Sequence, residues 1–238
     1  MPTDTSSPPA YPSSGVTTPT RYRERMTHER AAVHAVLDEG VSAHVGFVVD
    51  GAPVVLPHLY ARVGDELFLH GSVGARALRM AGDGGLLVCV TVTLTDGLVL
   101  ARSAFHHSIN YRCAVIHGTA VPVTDDDAKR TALAALVDAV VPGRSAEVRG
   151  PNRKELVATT VLRLPLHDVS LKVRTGPSGD DEADVDLPYW AGVLPLRDHV
   201  PGVAVPASDL PAGIVLPDHV SRWRRPQEGG SPRSASSG

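Results

Sequence analysis

"SAHVGFVVDGAPVVLPHLYARVGDELFLHGS", residues 42–72, reads as three strands joined by two tight turns. Ala43, Val45, Phe47 and Val49 recur at every second position, the period of a half-buried strand. Asp50-Gly51 suits a two-residue hairpin loop, whose type I′ form needs positive φ at both central positions. The second strand runs to about Tyr60, Gly64-Asp65 makes the next turn, and "ELFLH" is the third strand. The stretch therefore predicts an antiparallel meander.

Outward from it, "THERAAVHAVLDEG" (27–40) predicts a helix with Thr27 as cap, Val33, Val36 and Leu37 on one face, and Gly40 at its end. "GSVGARALRM" (71–80) predicts a short helix starting near Ser72. "GLLVCVTVTL" (85–94), "INYRCAVIHGTAVPV" (109–123), "TTVLRLPL" (159–166) and "DVSLKVRTG" (168–176) predict further strands. "TDDDAKRTALAALVDAVVPG" (124–143) carries the strongest helical period. Thr124 and Asp127 form a candidate capping box, and Leu133, Leu136, Val137 and Val140 form a buried stripe. The fold class is α+β: a mainly β, antiparallel small barrel with a few helices.

One body spans residues 21–200. Residues 1–20 are Pro, Ser and Thr rich and are expected to be disordered; residues 201–238 are expected to form an extended, partly disordered tail. The opening has neither the basic start nor the apolar core of a signal peptide. The 238 residues are 42% apolar, enough for a core, and carry a net charge of −3 with only 4% aromatics. That balance argues against nucleic acid or an anionic membrane as partner. No apolar run reaches the length of a membrane span. Cys89 and Cys113 lie inside apolar runs and read as free buried thiols, which suits a cytoplasmic protein.

Three clusters carry chemistry. Ser72, with Arg76 one turn later, is either a helix cap beside a solvated arginine or an anion site at a helix start. "HHSINYRCAV" (106–115) places Arg112 in a strand, where it either faces solvent or meets an anion. His58, His70, His106, His107 and His117 lie in or beside strands. They lack the short ligand spacing of a metal site, so no metal is expected. The stretch 172–197 mixes an acidic run with Tyr189, Trp190, Val193, Leu194 and Leu196, so it is an arm that packs on something.

Taken together, "HVGFVVDGAPVVLPHLYARVGDELFLHGS", "VCVTVTLTDGLVLARSAFHHSINYRCAVIHG", "KVRTGP" and "YWAGVLPLR" resemble the actinobacterial branch of the pyridoxamine 5′-phosphate oxidase-like flavoproteins, related to nitroimidazole-resistance reductases. The resemblance implies an FMN-binding split β-barrel of six to seven strands that works as a homodimer. It implies that His70, Gly71, Ser72 and Arg76 hold the flavin phosphate, and that Pro57, His58, Leu59 and Tyr60 run along the ring system. Asn110, Tyr111 and Arg112 would add polar contacts, with Lys172, Arg174 and Trp190 near the cofactor of their own or the partner subunit. Many relatives carry lysine at the Arg76 position and serine at the Cys113 position.

The expected function is an FMN-dependent oxidoreductase acting on a small molecule, with His106 and His107 moving protons. A nicotinamide donor would dock transiently, since no Gly-x-Gly-x-x-Gly fingerprint is present. The substrate motif of true pyridoxamine phosphate oxidases is absent. The alternatives are a deazaflavin-dependent reductase, a non-catalytic flavin- or haem-binding module with a histidine as axial ligand, and a metal-dependent barrel using His58, His70 and His107.

Overall fold

The computed structural model describes residues 9–18, 20–74, 81, 82, 84–196, 204–206, 208, 210 and 213–223. The meander is present as β2 (Ser42–Val49), β3 (Ala52–Val63) and β4 (Glu66–Ser72). Asp50 and Gly51 adopt φ of 50° and 80°, as the hairpin turn requires, and Gly64 makes the next turn at φ 58°. Before the meander come β1 (Met26–Thr27) and α1 (Arg30–Glu39). After it come β5 (Leu86–Leu100), β6 (Ser108–Pro122), α2 (Asp126–Val140), α3 (Arg153–Ala158), β7 (Thr159–Pro165), β8 (Asp168–Arg174), β9 (Gly192–Pro195) and α4 (Asp218–Ser221). The short helix expected over 71–80 falls largely on residues 75–80, outside the described residues.

Six strands close a ring in the order β2-β3-β4-β7-β6-β5, every pairing antiparallel. The two longest strands change partners along their length. β6 pairs with β8 over Tyr111–His117 and reaches β7 only at Val121 and Pro122. β5 pairs with β2 over Cys89–Thr91 and with β9 over Gly97–Leu100. This exchange opens the ring into a split barrel.

In β5 the side chains alternate, with Leu86, Val88, Val90, Val92 and Leu94 inside. A bulge between Thr95 and Gly97 then reverses the phase. Val99 points inward and Leu98 outward as a result. Val33, Val36 and Leu37 of α1 complete the core against Val45, Leu69, Val92, Ile116 and Leu171. Gly40 ends α1 as expected, because of close approach. A Cβ there would meet Val92 Cγ1 at 2.4 Å and the Tyr60 hydroxyl at 2.5 Å.

Two caps differ from the sequence reading. The residue before α1 is Glu29, and the Thr27 hydroxyl accepts its N–H at 3.2 Å instead of capping the helix. At α2 it is Asp125, between the two expected residues, whose carboxylate accepts the Ala128 N–H at 2.7 Å. Four hydrogen-bonding residues in a row, 124–127, left the choice to local geometry.

The expected disorder of residues 1–20 does not hold for Pro9–Thr18. Tyr11 and Thr17 are buried, the Tyr11 N–H donates to His28 O at 2.8 Å, and Ala10 bridges to Glu29. Among the described residues no helix is long and apolar enough to cross a membrane.

Candidate functional site

The β4–β7 register puts Leu67 opposite Leu164 and Leu69 opposite Leu162, all in the core. His70 therefore turns to the other face of the sheet, opposite Val161. That face lies beneath α2. Asp138 pins the loop after α2 by accepting the Ser145 N–H and hydroxyl, both at 2.7 Å. The Lys129 ammonium donates to Leu156 O at 2.5 Å and Arg130 to Pro151 O at 2.6 Å, tying α2 to α3. A capping box, Asn152 with Glu155, starts α3.

Between this cover and the sheet lies a cavity of about 510 Å³. Leu59 and His70 form its floor, and Leu133, Val137, Val140 and Val148 line the cover. Of the α2 stripe expected to be buried, only Leu136 is fully so; Val140 is 39% exposed. The stripe faces a space rather than a packed core. Arg144, Arg149 and Glu155 also line the cavity and are partly or fully exposed, so they mark its opening.

His70 Nδ1 is buried without a hydrogen-bond partner. Burial pushes the His70 pKa below its ordinary 6.5. His58 is lowered too, by burial first and by the charge of His70 second, which makes the two electrostatic neighbours. Both imidazoles are neutral at pH 7, the form that ligates a metal.

The unfolded chain keeps protons that the folded chain gives up, so stability is full above pH 6.5 and is lost as pH falls below it. We expect the urea midpoint of the ligand-free protein to fall on acidification through that range, and to fall less in the His58→Gln, His70→Gln double variant. An equal fall in both proteins contradicts the assignment.

The other sequence-derived residues separate. Gly71 and Ser72 end β4, and the Ser72 hydroxyl accepts the Gly74 N–H at 3.1 Å. Arg76 lies outside the described residues. Pro57 is exposed, whereas Tyr60 is 3% exposed and belongs to the core. Its hydroxyl donates to Leu37 O at 2.5 Å, so the expected cofactor contact is corrected to a tie between β3 and α1.

Arg112 is corrected as well. Its guanidinium forks onto Glu39 and onto Asp96, at 2.8 and 3.0 Å for the latter. The anion it meets is internal. Asn110 and Arg174 do come together: the Arg174 guanidinium donates to Asn110 Oδ1, and Asn110 Nδ2 donates to Gly176 O at 3.1 Å. Tyr111 and Arg174 are paired across β6 and β8, as are Cys113 and Lys172.

The arm begins there and returns as β9 on the edge of β5. Asp180 holds it by accepting the Arg102 backbone N–H at 2.8 Å and the Arg102 guanidinium at 3.0 Å. Trp190 is 68% exposed and lies over Gly192, where a Cβ would meet the ring at 2.7 Å.

His106 and His107 sit on the β5–β6 connection and do not line the cavity. His106 Nδ1 is 2.9 Å from the Ser103 hydroxyl, and His107 Nδ1 is 2.9 Å from Ser103 O. The alternative metal set of His58, His70 and His107 does not assemble. Among the described residues the ligand atoms that gather within 4.8 Å belong to His106, Asp181 and Asp184, at the surface.

The sheet also has a broad outward face. His44 is paired with Thr91, Cys89 with His117, and Thr93 with Cys113. Val48, Val55 and Leu87, on that face by strand alternation, are 57%, 61% and 74% exposed. The α2 and loop residues around the cavity were missed as site residues. Their signal was a helix stripe more apolar than its burial needs, followed by two arginines.

A family model described as pyridoxamine 5′-phosphate oxidase matches residues 29–173. Among solved structures, the chain is similar to the flavocytochrome Anf3 from Azotobacter vinelandii. The two are 35% identical over 90% of this chain and 99% of that one, with a TM-score of 0.83. It is also similar to the FAD and haem binding protein from Mycobacterium smegmatis, at 42% identity over 83% of this chain and 96% of that one, TM-score 0.78. No curated protein matches the chain.

Proposed function

Because the chain belongs to the pyridoxamine 5′-phosphate oxidase family, we propose that it is a homodimeric, cytoplasmic, flavin-dependent oxidoreductase that also binds haem beneath α2, with His70 as the iron ligand. The carrying observation is a neutral imidazole with an unpartnered buried nitrogen, on the floor of an apolar cavity of about 510 Å³. A buried polar atom normally has a partner, and one without is costly unless something else meets the ring. Haem is a flat apolar disc with a metal at its centre and carboxylates at one edge. Apolar walls, one imidazole and cations at the opening match each part. Two similar proteins named as a flavocytochrome and as an FAD and haem binding protein support the same pairing.

Bound flavin would supply hydride chemistry and bound haem single-electron chemistry. The chain's own residues do the rest. Burial keeps the His70 imidazole neutral, the form that ligates a metal. Leu59, Leu133, Val137 and Val140 give the same cavity its apolar walls. The Asn110–Arg174 pair and the hydroxyl of Ser72 offer polar contacts to a flavin nucleotide, whether FMN or FAD. The substrate is a small molecule, and a nicotinamide donor would dock transiently over the flavin to supply its electrons.

The homodimer forms through the outward sheet face. Exposed β-branched and leucine side chains in adjacent strands are the kind of surface a second copy covers. A Val55→Glu, Leu87→Glu variant should sediment as a monomer, and a dimer of unchanged stability would exclude that face.

Hemin titration of the purified protein tests the main reading. The expected result is a saturable Soret band at one haem per chain, beside a flavin spectrum whose nucleotide is identified by acid release and chromatography. A protein that takes up neither group contradicts it.

A further inference from the structure

We infer that Arg144 and Arg149 recognise the two carboxylate arms of the ligand held beneath α2, and that Glu147 and Glu155 occupy those positions until it arrives. The inference rests on the proposed porphyrin site and names what selects the ligand there.

Both arginines belong to the loop joining α2 to α3, and both line the cavity opening. Each already holds a carboxylate. Arg149 forks onto Glu155, with Nη1 to Oε2 and Nη2 to Oε1 both at 2.8 Å. Arg144 Nη1 lies 3.5 Å from Glu147 Oε2. The fork is the geometry that receives any carboxylate. Ion pairs this exposed contribute little, so they exchange readily for an incoming acid.

An incoming acid on an apolar disc has an advantage over the glutamates. Its position is fixed by burial of the disc, whereas the glutamates stand on exposed side chains, Glu155 tied to the Asn152 N–H and Glu147 to His219. The two cations sit where the apolar walls end, so a ligand that buries its disc presents its acidic edge to them. Glu155 has a second duty, accepting the Asn152 N–H at 2.8 Å in the capping box of α3. Glutamine performs that duty equally well. Glu155→Gln therefore removes the competing charge and keeps the helix start.

Metal-free protoporphyrin IX and its dimethyl ester provide the test. Both keep the disc, both lack iron and so bypass His70, and only the first has charged arms. Binding is followed by fluorescence quenching, with circular dichroism as the folding control. The wild-type chain should prefer the diacid by roughly 3- to 30-fold, the range of two exposed ion pairs. The Arg144→Gln, Arg149→Gln double variant should bind both alike. Glu155→Gln should bind the diacid several-fold more tightly and the diester unchanged. Equal affinity of the wild type for the two porphyrins overturns the inference while leaving the cavity reading intact, as does a preference that survives in the double variant. Binding of neither porphyrin overturns the cavity reading and the inference with it.

Discussion

Arg112→Met should destabilise the folded chain by about 3–5 kcal/mol, the usual cost of leaving a buried charge without its partner. Arg112 lies between the end of α1 and the β5 bulge, with side-chain exposure of 13%, against 11% for Glu39 and 33% for Asp96. Methionine keeps the volume and removes the charge that the Glu39 and Asp96 carboxylates meet in this half-dry site. The paired carboxylates in turn raise the Arg112 pKa well above its ordinary value, Asp96 foremost, so it is charged at every accessible pH. Adding Glu39→Gln should recover part of the loss, because the carboxylate that Arg112 neutralised is then neutral by itself. Urea unfolding measures both. A variant of normal stability that has lost its flavin would return Arg112 to the cofactor site.

Tyr11→Ala should cost about 3–5 kcal/mol, as expected for truncating a buried aromatic. Deleting residues 1–20 should cost at least as much. The ring is 3% exposed and the Arg30 guanidinium lies 4.2 Å from its centre. Its hydroxyl donates to Asp65 Oδ1 at 2.8 Å and sits 2.8 Å from His34 Nε2. Arg30 also pairs with Asp65. The N-terminal segment is thereby fastened to α1 and to the β3–β4 turn together. Tyr11→Phe keeps the packing and should cost less, about 1–3 kcal/mol for the lost bond to a charged acceptor.

Asp65 carries a pH signature of the contact. Burial raises its pKa, but the Tyr11 hydroxyl, Arg30 and His34 outweigh burial and the net shift is downward. The contact is therefore complete above the ordinary carboxylate range and is lost as pH falls through it. The stability difference between full-length and truncated chains should narrow as pH falls below that range, leaving the part that ring packing supplies. A truncated chain as stable as the full one at neutral pH would show that the segment merely rests on the surface.

These two residues mark where sequence reading ran out. The meander was legible because its signals are local: a period of two, Asp50-Gly51, and a glycine at position 64. Strand membership in β5 through β8 was legible for the same reason. Arg112 was not, because its partners stand 73 and 16 positions away and nothing nearby announces them. Tyr11 was not, because one aromatic in a Pro- and Ser-rich stretch cannot offset ordering entropy by itself. Its hold comes from Arg30, His34 and Asp65, which are assembled only in the fold.

The candidate site was half legible. Leu59 and His70 were named from a family resemblance as flavin contacts, and they meet on the floor of a cavity. The other wall was read as plain helix core. An apolar stripe looks the same in sequence whether it packs against side chains or against a space. Only the register of β4, which turns His70 away from the core, distinguishes the two.

The proposed haem site stands or falls with His70, the imidazole on the floor of the cavity beneath α2. Hemin titration of His70→Gly, with and without free imidazole, tests it most directly. Glycine removes the imidazole and leaves room for one to diffuse in. The variant should keep its flavin, lose the wild-type Soret band, and regain that band when imidazole is added. A Soret band in His70→Gly that is unchanged from wild type, without imidazole, would contradict the assignment.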